Sequence, residues 1–132
     1  MSTNITVQSR SRKQSVNITR DVQEVVAASG VENGICVVYV PHTTAGVTVN
    51  EAADPSVVDD AQGALSRLVP HEGPYRHAEG NSDSHIQTML IGPSVSLIVD
   101  GGRLALGTWQ GIFFCEFDGP RRRTASVQCV SA

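Results

Sequence analysis

Apolar and polar residues alternate in the first segments of the chain and then give way to a helical spacing. In residues 3–9 and 14–18 roughly every second side chain is apolar, which is typical of half-buried strands. A basic turn separates them, and together they predict a β-hairpin, the first pair of a sheet. Residues 19–29 repeat apolar side chains at helical spacing between Thr19, a candidate cap, and Gly30, a left-handed stop. The pattern therefore predicts a hairpin followed by one amphipathic helix.

The remaining segments predict strands on either side of two further helices. Asp54 and Pro55 signal the start of a helix that runs to Val69, and Asn81 caps a shorter helix after a loop rich in Gly and Pro. The predicted strands, mostly rich in apolar residues, cover residues 34–40, 46–51, 94–100, 103–109, 111–118 and 122–130. The resulting order, ββαββααββββ, predicts an α+β fold with several antiparallel pairings rather than a doubly wound parallel sheet.

The length and charge of the chain narrow the function classes. A chain of 132 residues is the size of one domain, residues 1–132, and 13 acidic against 10 basic residues give a net charge of −3. This charge argues against non-specific nucleic-acid binding, which depends on a positive field. No stretch approaches the roughly 20 apolar residues of a membrane span, and the N-terminus lacks the apolar core of a secretory signal. We therefore expect a cytoplasmic protein without nucleic-acid or membrane partners, with its three cysteines reduced.

Four histidines lie in loops or at the ends of predicted elements, namely His42, His71, His77 and His85. If the long loop folds back over the end of the strand at 34–40, three or four imidazoles would converge there. Such a group would suit a divalent metal such as zinc or magnesium. Their spacing matches no standard zinc signature, however, so the spacing alone favours surface or hydrogen-bonding histidines.

Acidic and basic residues supply two further candidate groups. Glu51 and Glu79 adjoin turns that carry Asn or His, and carboxylates there would help to hold a hard cation. In "DGPRRRT", alternation along a strand places Arg121 and Arg123 on one face, where two guanidinium groups would bind a phosphate. An equally weighted alternative is that these arginines protect a strand edge from pairing with another chain.

The segment "HTTAGVTVNE" joins candidate chemistry to a predicted strand. Val47 and Val49 would anchor the strand in the core, and Thr43 and Thr44 stand just before it. The two hydroxyl groups would donate to oxygen atoms of a substrate, or they would satisfy the backbone of the turn, which is the commoner use. The sequence leaves both uses open.

Three blocks of the chain resemble the YjbQ family, also described as secondary thiamine-phosphate synthases. They are "PHTTAGVTVNE" from Pro41, "RHAEGNSDSHI" from Arg76 and "LGTWQGIFFCEFDGPRRR" from Leu106. The resemblance implies a compact α+β fold of two packed, largely antiparallel sheets with about three helices. It implies a homotrimer with sites near the subunit boundaries. It also implies a metal or phosphate site formed by three family histidines with acidic and amide neighbours, a set that comprises His42, His77, His85, Asn81, Glu51 and Glu79.

The reaction attributed to this family joins a pyrimidine methyl diphosphate to a thiazole phosphate and releases pyrophosphate. The thiazole nitrogen is the nucleophile, so no activated Ser or Cys is required. The predicted catalytic residues are His42, His77, His85 and Glu51, and the three histidines are also the predicted ligands of a divalent metal ion. The residues predicted to bind a phosphorylated substrate are Thr43, Thr44, Asn81, Arg121 and Arg123.

Two other function classes fit the same residues. A non-catalytic trimer would bind a metal, an anion or a metabolite and form no product. A metal-dependent hydrolase would use the three histidines to activate water for attack on an ester or lactone. The word "secondary" in the family description suggests that thiamine chemistry is a side activity, and it leaves the principal substrate open.

Overall fold

The computed structural model describes residues 2–132, which form eight strands and three helices. The strands are β1 (Thr3–Gln8), β2 (Gln14–Asn17), β3 (Asn33–Tyr39), β4 (Ala45–Glu51), β5 (Ser94–Asp100), β6 (Arg103–Leu104), β7 (Gln110–Glu116) and β8 (Arg122–Ser131). The helices are α1 (Thr19–Ser29), α2 (Pro55–Leu68) and α3 (Ser82–Ile91). The order of elements along the chain is the order that the sequence predicts.

The strands form two antiparallel sheets. The larger sheet has the order β1-β8-β3-β5-β6, and the smaller one has the order β2-β7-β4. The predicted α+β class, with two largely antiparallel sheets and three helices, is confirmed. The last strand of the chain lies inside the larger sheet, between the first strand and β3, so the two ends of the chain pair with each other.

The predicted N-terminal hairpin is wrong. β1 pairs with β8 in the larger sheet, whereas β2 pairs with β7 in the smaller one. The segment between them crosses from one sheet to the other, and Ser9 is buried there and hydrogen-bonded to the backbone of Arg121. Alternation shows that a strand has one buried face, but it does not identify the partner strand.

One core lies between the two sheets and is closed by α1. Val22 and Val26 of α1 pack there with inward side chains of both sheets, such as Val38 of β3 and Phe114 of β7. A second cluster, around Phe113, lies on the other face of the smaller sheet beneath α2. β7 is therefore buried on both faces, which explains its continuous apolar sequence.

Local signals correctly predict most element ends, with two exceptions. Asp54 Oδ1 accepts a hydrogen bond from the N–H of Ser56 at 3.0 Å, and Gly30 ends α1 with φ at 73°, both as predicted. α1 begins at Thr19, but its cap position is Ile18. The predicted strand over 103–109 shrinks to the two residues of β6. No helix in residues 2–132 is both long and apolar enough to cross a membrane.

Candidate functional site

A polar cavity of about 550 Å³ lies between the N-terminal end of α3 and the turn that joins β7 to β8. Its lining is mostly charged, amide, hydroxyl and imidazole side chains, and comprises Arg12, Thr44, His77, Glu79, Gly80, Asn81, His85, Asp118 and Arg121. Six of these are residues that the sequence analysis names for the site, namely Thr44, His77, Glu79, Asn81, His85 and Arg121. The fold thus gathers them from distant parts of the chain.

The N-terminal end of α3 supplies one wall of this polar cavity. Asn81 occupies the cap position, as predicted, but its side chain makes no capping hydrogen bond. Its Nδ2 instead donates to Oδ2 of Asp118 at 2.9 Å, and its Oδ1 is buried without a partner in residues 2–132. The first N–H groups of a helix lack partners within the helix and carry partial positive charge. This wall therefore favours an anionic ligand.

The connection between β1 and β2 supplies Arg12. Both terminal nitrogens of Arg12 donate to Asp83 at 3.0 Å, and Nζ of Lys13 donates to the same carboxylate at 2.9 Å. Burial raises the pKa of Asp83, but the hydrogen bonds from Arg12 and Lys13 outweigh it and hold this pKa well below its usual range. The three charges tie α3 to the β1–β2 connection and hold Arg12 at the edge of the cavity.

The turn after β7 supplies Asp118 and Arg121. Nε of Arg121 donates to the carbonyl of Asp118 at 3.0 Å, and Nη2 donates to its carboxylate at 3.1 Å. Nη1 of Arg121 makes no hydrogen bond within the described chain, and the side chain is half exposed. Arg121 is therefore available to a ligand, with Asp118 fixing its orientation.

His77 and His85 form an edge-to-face pair in the cavity wall. Their ring centroids are 5.3 Å apart and their planes meet at 89°. His77 comes from the long loop and His85 from the first turn of α3. The predicted approach of these two histidines is thus present in the structure.

His42 lies beside the cavity rather than in its lining. Its Nε2 accepts a hydrogen bond from the backbone N–H of Thr124 at 3.0 Å. Burial lowers the pKa of His42, and the positive charge of Arg123 lowers it further. His42 therefore favours the neutral form, with Nε2 already engaged by β8.

Arg123 does not form the predicted phosphate clamp with Arg121. Arg123 is 3% exposed and donates from Nε and Nη2 to Glu116, which is fully buried. Its Nη2 also donates to the hydroxyl oxygen of Thr44 at 2.8 Å, and Ser9 donates to Glu116 at 2.7 Å. These four residues form a closed cluster beneath the cavity. Strand alternation predicts a shared direction for the two arginines, but Arg121 precedes β8 and the alternation does not apply to it.

Two other predicted residues lie outside the cavity. Glu51 ends β4 and pairs in register with Gln110, whereas Ala45 at the other end pairs with Glu116. Six residues of strand separate the two ends by about 20 Å, so Glu51 is remote from the histidine pair within one chain. Thr43 is exposed and does not line the cavity, although its neighbour Thr44 does.

The three predicted metal ligands do not converge within the described chain. No group of three His, Cys, Asp or Glu side chains in residues 2–132 is arranged to hold a metal ion. His77 and His85 are adjacent, but His42 offers Nε2 to Thr124 instead. The side-chain arrangement in residues 2–132 therefore does not fit a three-histidine site within one chain. The divalent metal stays a prediction.

Sequence reasoning missed Arg12 and Asp118 as cavity residues. Arg12 lies in the basic turn of the predicted hairpin, and Asp118 is the last residue of the predicted strand over 111–118. Gly119 brings them together, because its N–H donates to the carbonyl of Arg12 at 3.0 Å. A Cβ at Gly119 would collide with the carbonyl oxygen of Ser11 and with Ser9 Oγ. The basic run 10–13 and Gly119 were the sequence features that could have indicated these two cavity residues.

The comparisons with known proteins extend over nearly the whole chain. The family model described as "UPF0047 protein YjbQ-like" matches residues 3–132. The UPF0047 protein MJ1081 of Methanocaldococcus jannaschii is 49% identical over 94% of this chain and 90% of its own length. UPF0047 protein YugU of Bacillus subtilis is 43% identical over 94% and 95%.

Solved structures agree with these sequence matches. A YjbQ/UPF0047 family protein from Clostridium acetobutylicum superposes with a TM-score of 0.95 at 45% identity, covering 97% of this chain and 99% of its own. A protein of unknown function from Sulfolobus solfataricus superposes with the same TM-score at 30% identity, covering 100% and 97%. The family resemblance stated from the three sequence blocks is confirmed, and this chain belongs to the YjbQ-like UPF0047 family.

Proposed function

We propose that this protein is a cytoplasmic transferase that acts on phosphorylated small molecules, in a reaction of the thiamine-phosphate synthase type. The observation that carries the proposal is the polar cavity. It combines a helix N-terminus, a half-exposed Arg121 and two adjacent imidazoles in one place. The three free cysteines are in keeping with a reducing compartment.

The cavity offers several groups to a diphosphate. Arg121 retains Nη1 for a phosphate oxygen, and the first turn of α3 adds N–H groups and a positive dipole. The hydroxyl of Thr44 accepts from Arg123, which leaves its own proton to donate into the cavity. Glu79 and Asp118 balance part of the positive charge. We therefore expect a diphosphate to be bound by hydrogen bonds of defined direction rather than by net positive charge alone.

The proposed reaction forms one bond and breaks one bond. The lone pair of the thiazole nitrogen forms a C–N bond with the methylene carbon of the pyrimidine. The electron pair of the broken C–O bond leaves with pyrophosphate. The nitrogen becomes cationic and no oxidant or reductant is required. Arg121 and the α3 N-terminus stabilise the charge that develops on the leaving group, and His77 or His85 donates a hydrogen bond to its oxygen.

The test is an assay with both organic substrates. We expect wild type to form thiamine phosphate and pyrophosphate, and the double variant His77→Ala/His85→Ala to lose at least 90% of the rate while circular dichroism stays unchanged. Arg122→Gln is the control, because Arg122 is exposed and lies outside the cavity lining. Saturable pyrophosphate binding without product would favour the non-catalytic binding protein. Acid release from a generic ester would favour the hydrolase.

The predicted metal needs a separate measurement. We propose elemental analysis of purified protein and of His42→Ala, His77→Ala and His85→Ala variants. Stoichiometric zinc or magnesium that folded variants lose would support a metal site completed in another way, such as by a second subunit. Full activity in the presence of a chelator would exclude a metal requirement.

The homotrimer implied by the family resemblance is likewise a proposal. The outer face of the larger sheet supports it, because no helix within residues 2–132 covers the row formed by Ile98, Ile35 and Val130, which are 48–60% exposed. We expect light scattering to give three times the chain mass of 14.0 kDa. Ile98→Lys would lower this mass, whereas Met89→Lys on the exposed side of α3 would not. A wild-type monomer at working concentration would contradict the proposal.

A further inference from the structure

A second cavity adjoins the polar one and shares two of its residues. It has a volume of about 540 Å³ and is lined by Pro74, Tyr75, Arg76, His77, Ser82, His85 and Ile86. His77 and His85, the edge-to-face pair, line both cavities. A single molecule that occupies both would therefore pass directly beside the two imidazoles.

The chemistry of the second cavity differs from that of the first. Pro74, the ring of Tyr75 and Ile86 give it an apolar wall, and Arg76 adds an exposed cation. The lining of the polar cavity consists instead of Gly80 and of polar and charged side chains. The two cavities therefore suit different parts of one ligand: an apolar, planar part and an anionic part.

The Tyr75 ring is held in place before any ligand arrives. Its hydroxyl donates to the carbonyl of Pro70 at 2.6 Å, and its N–H donates to the carbonyl of Gly73 at 2.8 Å. Gly73 packs against the ring so closely that a Cβ there would be 3.1 Å from Cζ. A loop that consists mostly of exposed residues thus presents one fixed aromatic surface. Fixed aromatic rings bind planar ligands with little loss of conformational entropy.

We propose that the second cavity binds the planar heteroaromatic ring of the substrate whose diphosphate occupies the polar cavity. This inference rests on the proposed function and deepens it, since it assigns the ring to Tyr75 and Ile86. The bond between the ring-bearing carbon and the diphosphate oxygen would then lie against His77 and His85. Cavities of this volume hold small organic ligands. The arrangement explains why the two histidines stand where an apolar and a polar surface meet.

The test measures the two halves of the ligand separately. The probes are the pyrimidine methyl alcohol, which lacks the diphosphate, and inorganic pyrophosphate, each titrated by ligand-observed NMR. Ile86→Ser and Tyr75→Ala are expected to weaken binding of the alcohol about tenfold and to leave pyrophosphate affinity within about twofold. Arg121→Gln is expected to weaken pyrophosphate binding about tenfold and to leave the affinity for the alcohol within about twofold. Met89→Ser is the matched control for Ile86→Ser, because Met89 is an exposed residue of α3 that lines neither cavity.

The outcomes separate the inference from the proposed function. Pyrophosphate binding that depends on Arg121, together with alcohol binding unaffected by Ile86→Ser, would overturn the inference and leave the proposed function standing. Mutual exclusion of the two probes would also overturn it, because the halves would then share one cavity. Absence of pyrophosphate binding to wild type would overturn both. Thermal unfolding of each variant shows whether Tyr75→Ala is folded. If Tyr75→Ala is unfolded, the result for Ile86→Ser decides between the outcomes.

Discussion

Arg121 and Arg123 are two residues apart in the chain and have opposite surroundings. Arg123 is buried in the closed cluster with Glu116, Ser9 and Thr44, where its Nε and Nη2 donate to Glu116 and Nη2 also donates to Thr44. Arg121 is half exposed in the polar cavity and holds Asp118 through only part of its guanidinium group. The closed cluster connects elements of both sheets, whereas the polar cavity contains a hydrogen-bond donor, Nη1 of Arg121, that is available to a ligand.

The difference between them teaches that charge alone does not indicate a binding role. The charges of a buried ion pair must be neutralised by each other and by hydrogen bonds, because each unpaired buried charge would carry a large desolvation penalty. A half-exposed pair is screened by water and contributes little to stability, so it is free to change partners. We therefore expect substitutions in the closed cluster to lower stability and substitutions in the polar cavity to weaken ligand binding.

Breaking the closed cluster should have the largest effect. Arg123→Ala leaves the buried Glu116 without its partner and is expected to lower the free energy of unfolding by about 3–5 kcal/mol, measured by urea denaturation. Arg122→Ala is the control, since Arg122 is exposed, and it should stay within about 0.5 kcal/mol of wild type. A loss below 1 kcal/mol for Arg123→Ala would contradict the structural role of the pair.

Acidification should weaken the same cluster without any mutation. Burial raises the pKa of Glu116, but hydrogen bonds from Arg123 and Ser9 outweigh it, so the pKa is below its usual value of 4.5. The unfolded state then binds more protons, and this contribution to stability is complete above pH 4.5 and is lost as the pH falls through the lowered pKa. Urea denaturation at several pH values should show a weaker dependence for Glu116→Gln. An identical pH dependence would contradict the prediction.

Substitution in the polar cavity should affect ligand binding more than the free energy of unfolding. Arg121→Gln is expected to weaken pyrophosphate binding about tenfold, which corresponds to about 1.4 kcal/mol, and to change the free energy of unfolding by less than about 1 kcal/mol. Calorimetric titration and urea denaturation measure the two effects. Arg122→Gln should change neither. A larger effect of Arg121→Gln on stability than on binding would remove the contrast between the two arginines.

His42 should show the smallest effect, at the boundary between the two regions. Its pKa is below the usual 6.5, so the folded state binds fewer protons than the unfolded state and stability falls as the pH drops through that range. Protonation of Nε2 would break the hydrogen bond from the Thr124 N–H. An amide chemical-shift titration should show Thr124 moving with a midpoint below 6.5 in wild type and not in His42→Phe. A midpoint above 6.5 would contradict the assignment.

Sequence reasoning succeeded where the signal is local. Asp54 and Gly30 mark helix ends through contacts within a few residues, and the order of elements follows from short periodic segments. It failed where the outcome depends on which strands meet. The segments before and after Arg10 are both strands, as predicted, yet they belong to different sheets. Thr44, His77, Asn81, His85 and Arg121 were found through motif blocks, and their shared cavity depends on the fold.

The chain by itself determined most of its secondary structure, its family and most of the residues of its polar cavity. These follow from hydrophobic periodicity, capping and turn residues, and from motif blocks that act over short distances. Only the tertiary structure decided that Arg123 is buried and Arg121 is available, that Arg12 joins the cavity, and that Glu51 is remote from the histidines. The physical reason is that desolvation and hydrogen-bond partners depend on the packing of the whole chain, and no short stretch specifies that packing.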